Sequence, residues 1–234
     1  MQVALITGGS KGLGLALATS LVQDGWSVVV DGRDPSALDA AVQSLRDAST
    51  GQGVTGIAGD VADPEHRAAL VQAVTQLGRL DLLVNNASVL GPSPQPALAE
   101  FPLDEFQRVL AINVVAPLAL VQATLPLLRS SHGTVIDITS DAAAEGYARW
   151  GGYGSSKAAL EQLSNVLAAE ETDLHVYWFD PGDMRTEMHQ AAFPGEDISD
   201  RPLPDSVVPA VRRLLREMPP SGRYRAAQLL EATQ

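Results

Sequence analysis

Tyr153 and Lys157 carry side chains suited to proton transfer, and they lie four residues apart in the sequence. On a helix, this spacing places the two side chains one turn apart on the same face. A tyrosine phenol has a reference pKa of about 10, and a nearby ammonium lowers that pKa because it favours the phenolate. Tyr153 could then exchange a proton with a carbonyl or alcohol oxygen. A Tyr/Lys pair at this spacing is also common on helix surfaces, so further residues are needed to support this chemistry.

A glycine-rich segment near the start of the chain could bind a phosphate group. Residues 7–14 have the sequence Thr-Gly-Gly-Ser-Lys-Gly-Leu-Gly, between the apolar run Val3–Ile6 and an apolar helix. Glycines permit a tight turn and a close approach of the backbone, and a helix N-terminus offers unpaired N–H groups to an anion. An ordinary glycine-rich turn is the alternative, but the position between a first strand and a first helix favours a pyrophosphate site. The only two lysines of the chain are Lys11, in this segment, and Lys157.

Short apolar runs that alternate with helical stretches predict the elements that position these residues. Continuous Val/Ile/Leu runs with little polar alternation are typical of strands buried on both faces of a parallel sheet. The candidate strands are Val3–Ile6, Ser27–Val30, Val54–Ala58, Leu82–Val84, Thr134–Ile138 and His175–Phe179, with a short last strand near residues 223–224. Asp34-Pro35 and Asp63-Pro64 each predict a helix start. Strand–helix–strand units of this kind predict an open sheet with helices on both faces.

Two stretches depart from this simple alternation. The helix predicted over residues 103–129 contains Pro117 and Pro126, and we expect it to bend or break near Asn113. Residues 180–204 contain four prolines and two glycines, which predicts a long irregular segment, and such segments are typically lids or binding loops. A last helix is predicted over 205–218. With no repeat or linker, we expect one domain over residues 1–234. A loop at about 183–204 is expected to cover its binding site.

Composition limits the classes of function. The chain has 234 residues, 45% of them apolar, and a net charge of −12, so it predicts a folded protein whose surface repels nucleic acid and anionic lipid. It has no cysteine, and its four histidines are far apart in sequence, so no metal site is expected. No signal-peptide pattern opens the chain and no apolar run reaches roughly 18 residues. We therefore expect a cytoplasmic protein with neither a nucleic-acid nor a membrane partner.

The order and spacing of the motifs strongly resemble the short-chain dehydrogenase/reductase superfamily over residues 1 to about 187. The glycine-rich segment has that family's Thr-Gly-x-x-x-Gly-x-Gly form. Further matches, in order, are Asp60-Val61 after the third strand, Asn85-Asn86-Ala87-Ser88 after the fourth, Asn113, Ser140, Tyr153-x-x-x-Lys157 and Pro181-Gly182-x-Met184-x-Thr186. In two places the sequence departs from the family: Ser88 replaces a glycine, and Ser221-Gly222-Arg223-Tyr224 stands in place of an Asp-Gly-Gly strand. The resemblance implies a Rossmann-type, doubly wound parallel α/β sheet of about seven strands.

The resemblance also implies roles for the matched residues. The catalytic set would be Asn113, Ser140, Tyr153 and Lys157: Ser140 holds the substrate oxygen, Asn113 keeps a water beside the lysine, and Tyr153 transfers a proton while a hydride moves to or from a nicotinamide. Asp60 would contact the adenine ring. The implied cofactor-binding residues are Thr7, Gly8, Ser10, Lys11, Gly12, Leu13, Gly14, Arg33, Asp60, Val61, Asn86, Ala87, Tyr153, Lys157, Pro181, Gly182, Met184 and Thr186, with no metal ligand.

The end of the second strand bears on which dinucleotide is used. An acidic residue there usually meets a free ribose 2′-hydroxyl, and an arginine meets a 2′-phosphate. By resemblance, Gly32 takes the acidic position and Arg33 that of the phosphate-binding arginine, while Lys11 matches a second basic position of members that prefer the phosphorylated cofactor. We therefore expect NADP(H) to be preferred. NAD(H) stays open, because a shift of one residue would place the carboxylate of Asp31 at the ribose.

Three functions follow from these motifs. The leading hypothesis is an NADPH-dependent ketone or aldehyde reductase acting on a small-molecule carbonyl or secondary alcohol. The alternatives are an NAD-dependent alcohol dehydrogenase and a non-catalytic dinucleotide-sensing protein. Residues of two stretches are expected to line the substrate side: Glu145, Tyr147, Arg149 and Trp150 between 140 and 153, and Met184, Met188, His189 and Phe193 between 183 and 204. Because the family often pairs its fourth and fifth helices between subunits, a homodimer or homotetramer is expected.

Overall fold

A single parallel sheet of seven strands forms the centre of the molecule. The computed structural model describes residues 2–231, in which the strand order is β3-β2-β1-β4-β5-β6-β7 and every neighbouring pair is parallel. The strands are β1 Val3–Ile6, β2 Ser27–Gly32, β3 Val54–Ala58, β4 Leu82–Asn85, β5 Thr134–Ile138, β6 His175–Asp180 and β7 Gly222–Arg225. The predicted fold class, a doubly wound Rossmann-type sheet, is confirmed.

Alternate side chains of the strands point into two separate cores. Ala4 and Ile6 of β1 belong to one apolar cluster, which includes residues of the helices at Gly12–Gln23 (α1) and Pro35–Ala48 (α2). Val3 and Leu5 belong to the other. Since successive strand residues face opposite sides of a sheet, continuous apolar runs are what two buried faces require.

The remaining helices complete both layers, and three differ from the sequence-based prediction. They are α3 Pro64–Leu77, α4 Leu103–Leu110, α5 Ala116–Ser131, α6 Gly151–Glu170, α7 Glu187–Ala192, α8 Val208–Glu217 and α9 Ala226–Glu231. The helix expected to bend near Asn113 widens instead into a π-helical segment, Ala111–Val115, between α4 and α5. The segment expected to be irregular contains α7, capped by the Thr186 hydroxyl, which accepts from the His189 N–H. Helix α9 was not predicted.

The helix Leu103–Ser131 is long and apolar enough to cross a bilayer by length and composition alone, the one such helix among residues 2–231. By this measure the helix is an exception to the expectation, drawn from the sequence, that no apolar stretch is long enough to span a bilayer. Leu120, Val121 and Leu128 of this helix are buried in the core with β1 and β4 side chains. A core helix of a folded domain passes the same test of length and composition.

The sheet topology fixes where a ligand site can form. The strand order reverses between β1 and β4, so the connections that leave these two strands run to opposite faces. Such a switch point leaves a crevice at the carboxyl ends of the strands. The glycine-rich segment follows β1, Asn86 follows β4, Ser140 follows β5 and Pro181 follows β6, so all of them lie at this edge.

Candidate active site

A cavity of about 930 Å³ lies at the carboxyl edge of the sheet and is lined by most of the predicted site residues. The predicted residues on its wall are Gly8, Ser10, Lys11, Gly12, Leu13, Arg33, Asp60, Val61, Asn86, Ala87, Ser140, Tyr153, Lys157, Pro181, Gly182, Met184 and Thr186. Three others, Thr7, Gly14 and Asn113, lie behind this wall. The topology therefore brings together residues that are up to 179 positions apart, from Thr7 to Thr186.

Thr7 and Asn86 fasten the glycine-rich turn to the end of β4. The Thr7 hydroxyl oxygen accepts from the N–H groups of Asn86 and Ala87, both at 3.0 Å. The Asn86 side-chain amide donates to the carbonyl oxygens of Thr7 at 2.8 Å and Gly8 at 3.2 Å. The turn is therefore held rigidly although Thr7 does not line the cavity.

Two glycines of this turn leave no room for a side chain. Gly8 has a φ of +67°, which favours glycine, and a Cβ at Gly14 would lie 2.4 Å from the carbonyl oxygen of Gly8. The turn is thus a bare backbone cradle at the start of α1, open to the cavity. Such a cradle fits the pyrophosphate of a dinucleotide.

The carboxylate of Asp31 is buried beneath the same turn. Its Oδ1 accepts from the Gly8 N–H at 2.6 Å and its Oδ2 pairs with Nε2 of His66 at 2.9 Å. The residue is 1% exposed. Gly59 makes room for the imidazole, since a Cβ there would lie 2.2 Å from Nδ1 of His66. Both oxygens of Asp31 are therefore engaged inside the protein. The sequence analysis missed His66, which is 35 residues away from its partner.

Two basic side chains lie at the cavity near the end of β2. Arg33 is exposed, lines the cavity and forms no hydrogen bond or ion pair within residues 2–231. The Lys11 ammonium pairs with the Glu187 carboxylate of α7, and both side chains are exposed. The Lys11–Glu187 pair thus links the glycine-rich turn to the segment expected to cover the site.

Lys157 is fully enclosed between α6 and β5. It is 2% exposed, and its Nζ donates to the carbonyl oxygen of Ile138 at 2.7 Å. Burial lowers the pKa of Lys157 to about 8, against the opposing effect of the Asp137 carboxylate. Its Nζ lies 5.5 Å from the centre of the Tyr153 ring, so the ammonium and the phenol are close together, as their spacing predicted.

The environment of Tyr153 differs from the expectation. Burial raises the pKa of Tyr153, the nearby Ser140 hydroxyl lowers it, and the charges of Asp180 and Asp141 raise it further. The expected lowered pKa is therefore wrong for this structure, because desolvation of the phenolate dominates.

The Ser140 hydroxyl is placed at the site but is already engaged. It donates to Oδ1 of Asp141 at 2.9 Å and accepts from the Ala142 N–H at 3.2 Å. To donate to a substrate oxygen, this hydroxyl must rotate away from Asp141.

The Asn113 side chain has no capacity left for a water molecule. Its Oδ1 accepts from the Val89 N–H and the Ser88 hydroxyl, and its Nδ2 donates to the Val89 carbonyl and the Ser156 hydroxyl, all at 2.9–3.1 Å. The side chain of Asn113 therefore joins the π-helical segment to the loop after β4 and to α6. Only its backbone carbonyl could hold the expected water. Ser88, which replaces the family's glycine, is one of its partners.

Comparisons with known proteins agree with this geometry. Residues 2–197 match the family model described as short chain dehydrogenase. The chain belongs to the short-chain dehydrogenase family. It is similar to dehydrogenase/reductase SDR family member 4 of Bos taurus, at 35% identity over 79% of this chain and 66% of that protein. The chain spans only 64% and 66% of the length of two of the curated relatives it matches.

Two other similarities extend over nearly the whole chain. Benzil reductase ((S)-benzoin forming) of Saccharomyces cerevisiae is 29% identical over 98% of this chain and 85% of that protein. The solved structure of a short chain dehydrogenase from Shigella flexneri, complexed with NADP, is 31% identical with a TM-score of 0.89, covering 97% of both chains.

The part of the cavity expected to take the substrate includes aromatic and thioether side chains. Trp150 contacts Tyr153 edge-on at 5.8 Å between ring centres and Phe193 at 5.9 Å. Trp150, Met188 and His189 line the cavity. Phe193 lies behind His189, with 4.9 Å between ring centres, and Nε2 of His189 is buried without a partner in the described part of the chain. Among the other residues expected on this side, Met184 lines the cavity, whereas Glu145, Tyr147 and Arg149 do not.

The lowered pKa of Lys157 can be measured directly because the chain has only two lysines. In protein labelled with ¹³C-lysine, we expect one of the two side-chain signals to titrate with a midpoint of about 8, since burial disfavours the ammonium. Lys157→Met should remove that signal and Lys11→Arg should leave it unchanged. The interpretation fails if the Lys157 signal keeps its charge up to the ordinary lysine value of 10.5.

Proposed function

We propose that this protein is an oxidoreductase that moves a hydride between NADP(H) and a carbonyl or secondary alcohol, most favourably as a ketone or aldehyde reductase. The observation that carries the proposal is one cavity that combines the bare turn after β1 with Ser140, Tyr153 and Lys157. The first part fits a pyrophosphate and the second fits the oxygen of a carbonyl group. NADP bound to the Shigella flexneri structure supports the choice of cofactor class.

The chain's own residues supply binding and the proton. When bound, NADPH would provide the hydride. Tyr153 donates its phenolic proton to the substrate carbonyl oxygen, while Ser140, turned away from Asp141, donates a hydrogen bond to the same oxygen. The ammonium of Lys157, fixed by the Ile138 carbonyl, stabilises the negative charge that is left on the phenol. The backbone carbonyl of Asn113 is the group proposed to hold a water for proton exchange with solvent.

Replacement of Tyr153 by phenylalanine tests the proposed reaction. With a panel of ketones and aldehydes that includes benzil, we expect NADPH oxidation by the wild type and a loss of about 10²–10⁴-fold in kcat/KM for Tyr153→Phe, because the proton donor is removed. Tyr224→Phe is the matched control, since Tyr224 donates to the Pro220 carbonyl and does not line the cavity. Tight NADPH binding without turnover of any compound would favour the dinucleotide-sensing alternative.

The burial of Asp31 supports the preference for NADP(H). Its carboxylate is already bound by Gly8 and His66 inside the protein, so it is turned to internal partners and not to a ribose 2′-hydroxyl. Arg33 is free and exposed at the cavity, and Gly32 leaves the acidic position without a side chain. A 2′-phosphate would meet the Arg33 guanidinium. An NAD-dependent dehydrogenase would need the Asp31 carboxylate released.

Arg33→Ala tests the cofactor preference. A hydrogen bond to a charged group contributes about 1.5–3 kcal/mol, so we expect kcat/KM for NADPH to fall roughly 10- to 100-fold while that for NADH stays unchanged. Arg108→Ala, which removes an exposed arginine of α4 paired with Glu105, is the control. The preference for NADP(H) is wrong if the wild type prefers NADH and Arg33→Ala changes neither value.

We also propose that two copies pair through α5 and α6. Val115 and Val166 are 53% and 42% exposed, and Leu118 lies on the same helical stretch as Val115 and is exposed as well. The segment Ala111–Val115 packs against α6, so these apolar side chains belong to neighbouring helices. Exposed apolar residues on neighbouring helices are typical of protein–protein contacts. A second copy presenting the same face would cover them by two-fold symmetry.

Val115→Glu tests this dimer. By light scattering we expect the wild type at twice the chain mass of 24.6 kDa or more, and the variant at 24.6 kDa, because a carboxylate in an apolar contact is costly. Leu203→Glu replaces an apolar side chain of similar exposure elsewhere and should not change the mass. A monomeric wild type would refute the proposal.

A further inference from the structure

Arg223 joins three elements of the active site from the last strand of the sheet. It lies in β7, in the segment that replaces the family's Asp-Gly-Gly strand. Its Nε donates to Oε1 of Glu161 at 2.8 Å, and its Nη2 donates to the Ser140 carbonyl and to Oδ2 of Asp180, both at 3.1 Å. Three hydrogen bonds in a fixed planar fork define the relative positions of their acceptors.

Each acceptor belongs to an element that places a functional group. Ser140 lies two residues after the end of β5 and carries the hydroxyl at the cavity. Glu161 lies on α6 one turn beyond Lys157, and its Oε1 also accepts from the Thr139 hydroxyl at 2.8 Å. Asp180 ends β6, and its Oδ1 accepts from the Gly182 N–H at 3.0 Å, so it fixes the loop expected to contact the nicotinamide.

The guanidinium also offsets a buried negative charge. Asp180 is buried at the cavity wall, and its charge raises the pKa of Tyr153. The other groups that act on the phenol are Asp141, with the same sign, and the Ser140 hydroxyl, while the Lys157 ammonium lies 5.5 Å from the ring. Arg225 is a second cation near Asp180, but it is half-exposed and its Nε lies 3.6 Å from the carboxylate.

We propose that Arg223 is a positioning residue for the active site. It holds the Ser140 backbone, α6 and the Gly182 loop in register, and its guanidinium offsets part of the negative charge of Asp180. It does not line the cavity, so it acts through these partners without touching substrate or cofactor. The part that concerns the reaction rests on the proposed function, whereas the part that concerns the loop does not.

Arg223→Gln tests both parts with two measurements. Without the guanidinium, Asp180 loses its main partner, so hydrogen exchange at the Gly182 amide should become about tenfold faster. In alcohol oxidation with NADP, which requires the phenolate, the rising limb of the pH profile should move to higher pH, because Asp180 then disfavours that phenolate. Arg223→Lys keeps the positive charge but not the planar fork. It should therefore return the rising limb of the pH profile to its wild-type position, while hydrogen exchange at the Gly182 amide stays fast.

Arg129→Gln is the matched control. It removes an arginine that binds Glu171 through two hydrogen bonds on the surface, and neither residue lines the cavity. If Arg223→Gln matches Arg129→Gln in both exchange and pH profile, Arg223 has only a structural role and the proposal is overturned. If the wild type turns over no compound, the proposed function fails, and the Gly182 exchange rate alone supports or overturns the positioning role.

Discussion

The parallel register of β1, β4, β5 and β6 is the constraint on which every functional contact depends. Parallel pairing aligns the carboxyl ends of these strands, and each strand is followed within two residues by a residue of the cavity wall. The two buried faces leave apolar side chains no freedom to shift by one residue, because such a shift would exchange the two cores. Apolar packing far from the chemistry therefore fixes the site geometry.

Charge inside this acidic molecule is managed by pairing at strand ends. Asp31, Asp137 and Asp180 lie at or near the ends of β2, β5 and β6, and all three are buried. Asp31 is paired with His66, and Asp180 with Arg223. Asp137 accepts from Asn85 and Ser164, and burial raises its pKa. The carboxylates of Asp31 and Asp180 are therefore not left unpaired at the cavity.

The sequence predicted the parts of the site that are contiguous or follow a strand directly. The turn at 7–14, the Tyr153–Lys157 pair and the loop starting at Pro181 each depend on local spacing, which a single sequence displays. His66 and Arg223 could not be found in that way, since their partners are 35 and 43 or more residues distant and no motif marks them. The predicted pKa of Tyr153 failed for a different reason: burial of the phenol depends on Trp150 and the covering segment, which spacing does not show.

The protonation states of Tyr153 and Lys157 bear on the proposed proton transfer. Burial raises the pKa of the Tyr153 phenol, so near neutral pH the residue carries the proton that reduction of a carbonyl consumes. Lys157, with a pKa of about 8, is mostly cationic under the same conditions and can stabilise the phenolate that forms. Oxidation of an alcohol needs the opposite starting state, a phenolate beside two like charges, Asp141 and Asp180. The same desolvation that overturned the expectation from spacing keeps the Tyr153 phenol protonated, which is the state that donation to a carbonyl oxygen requires.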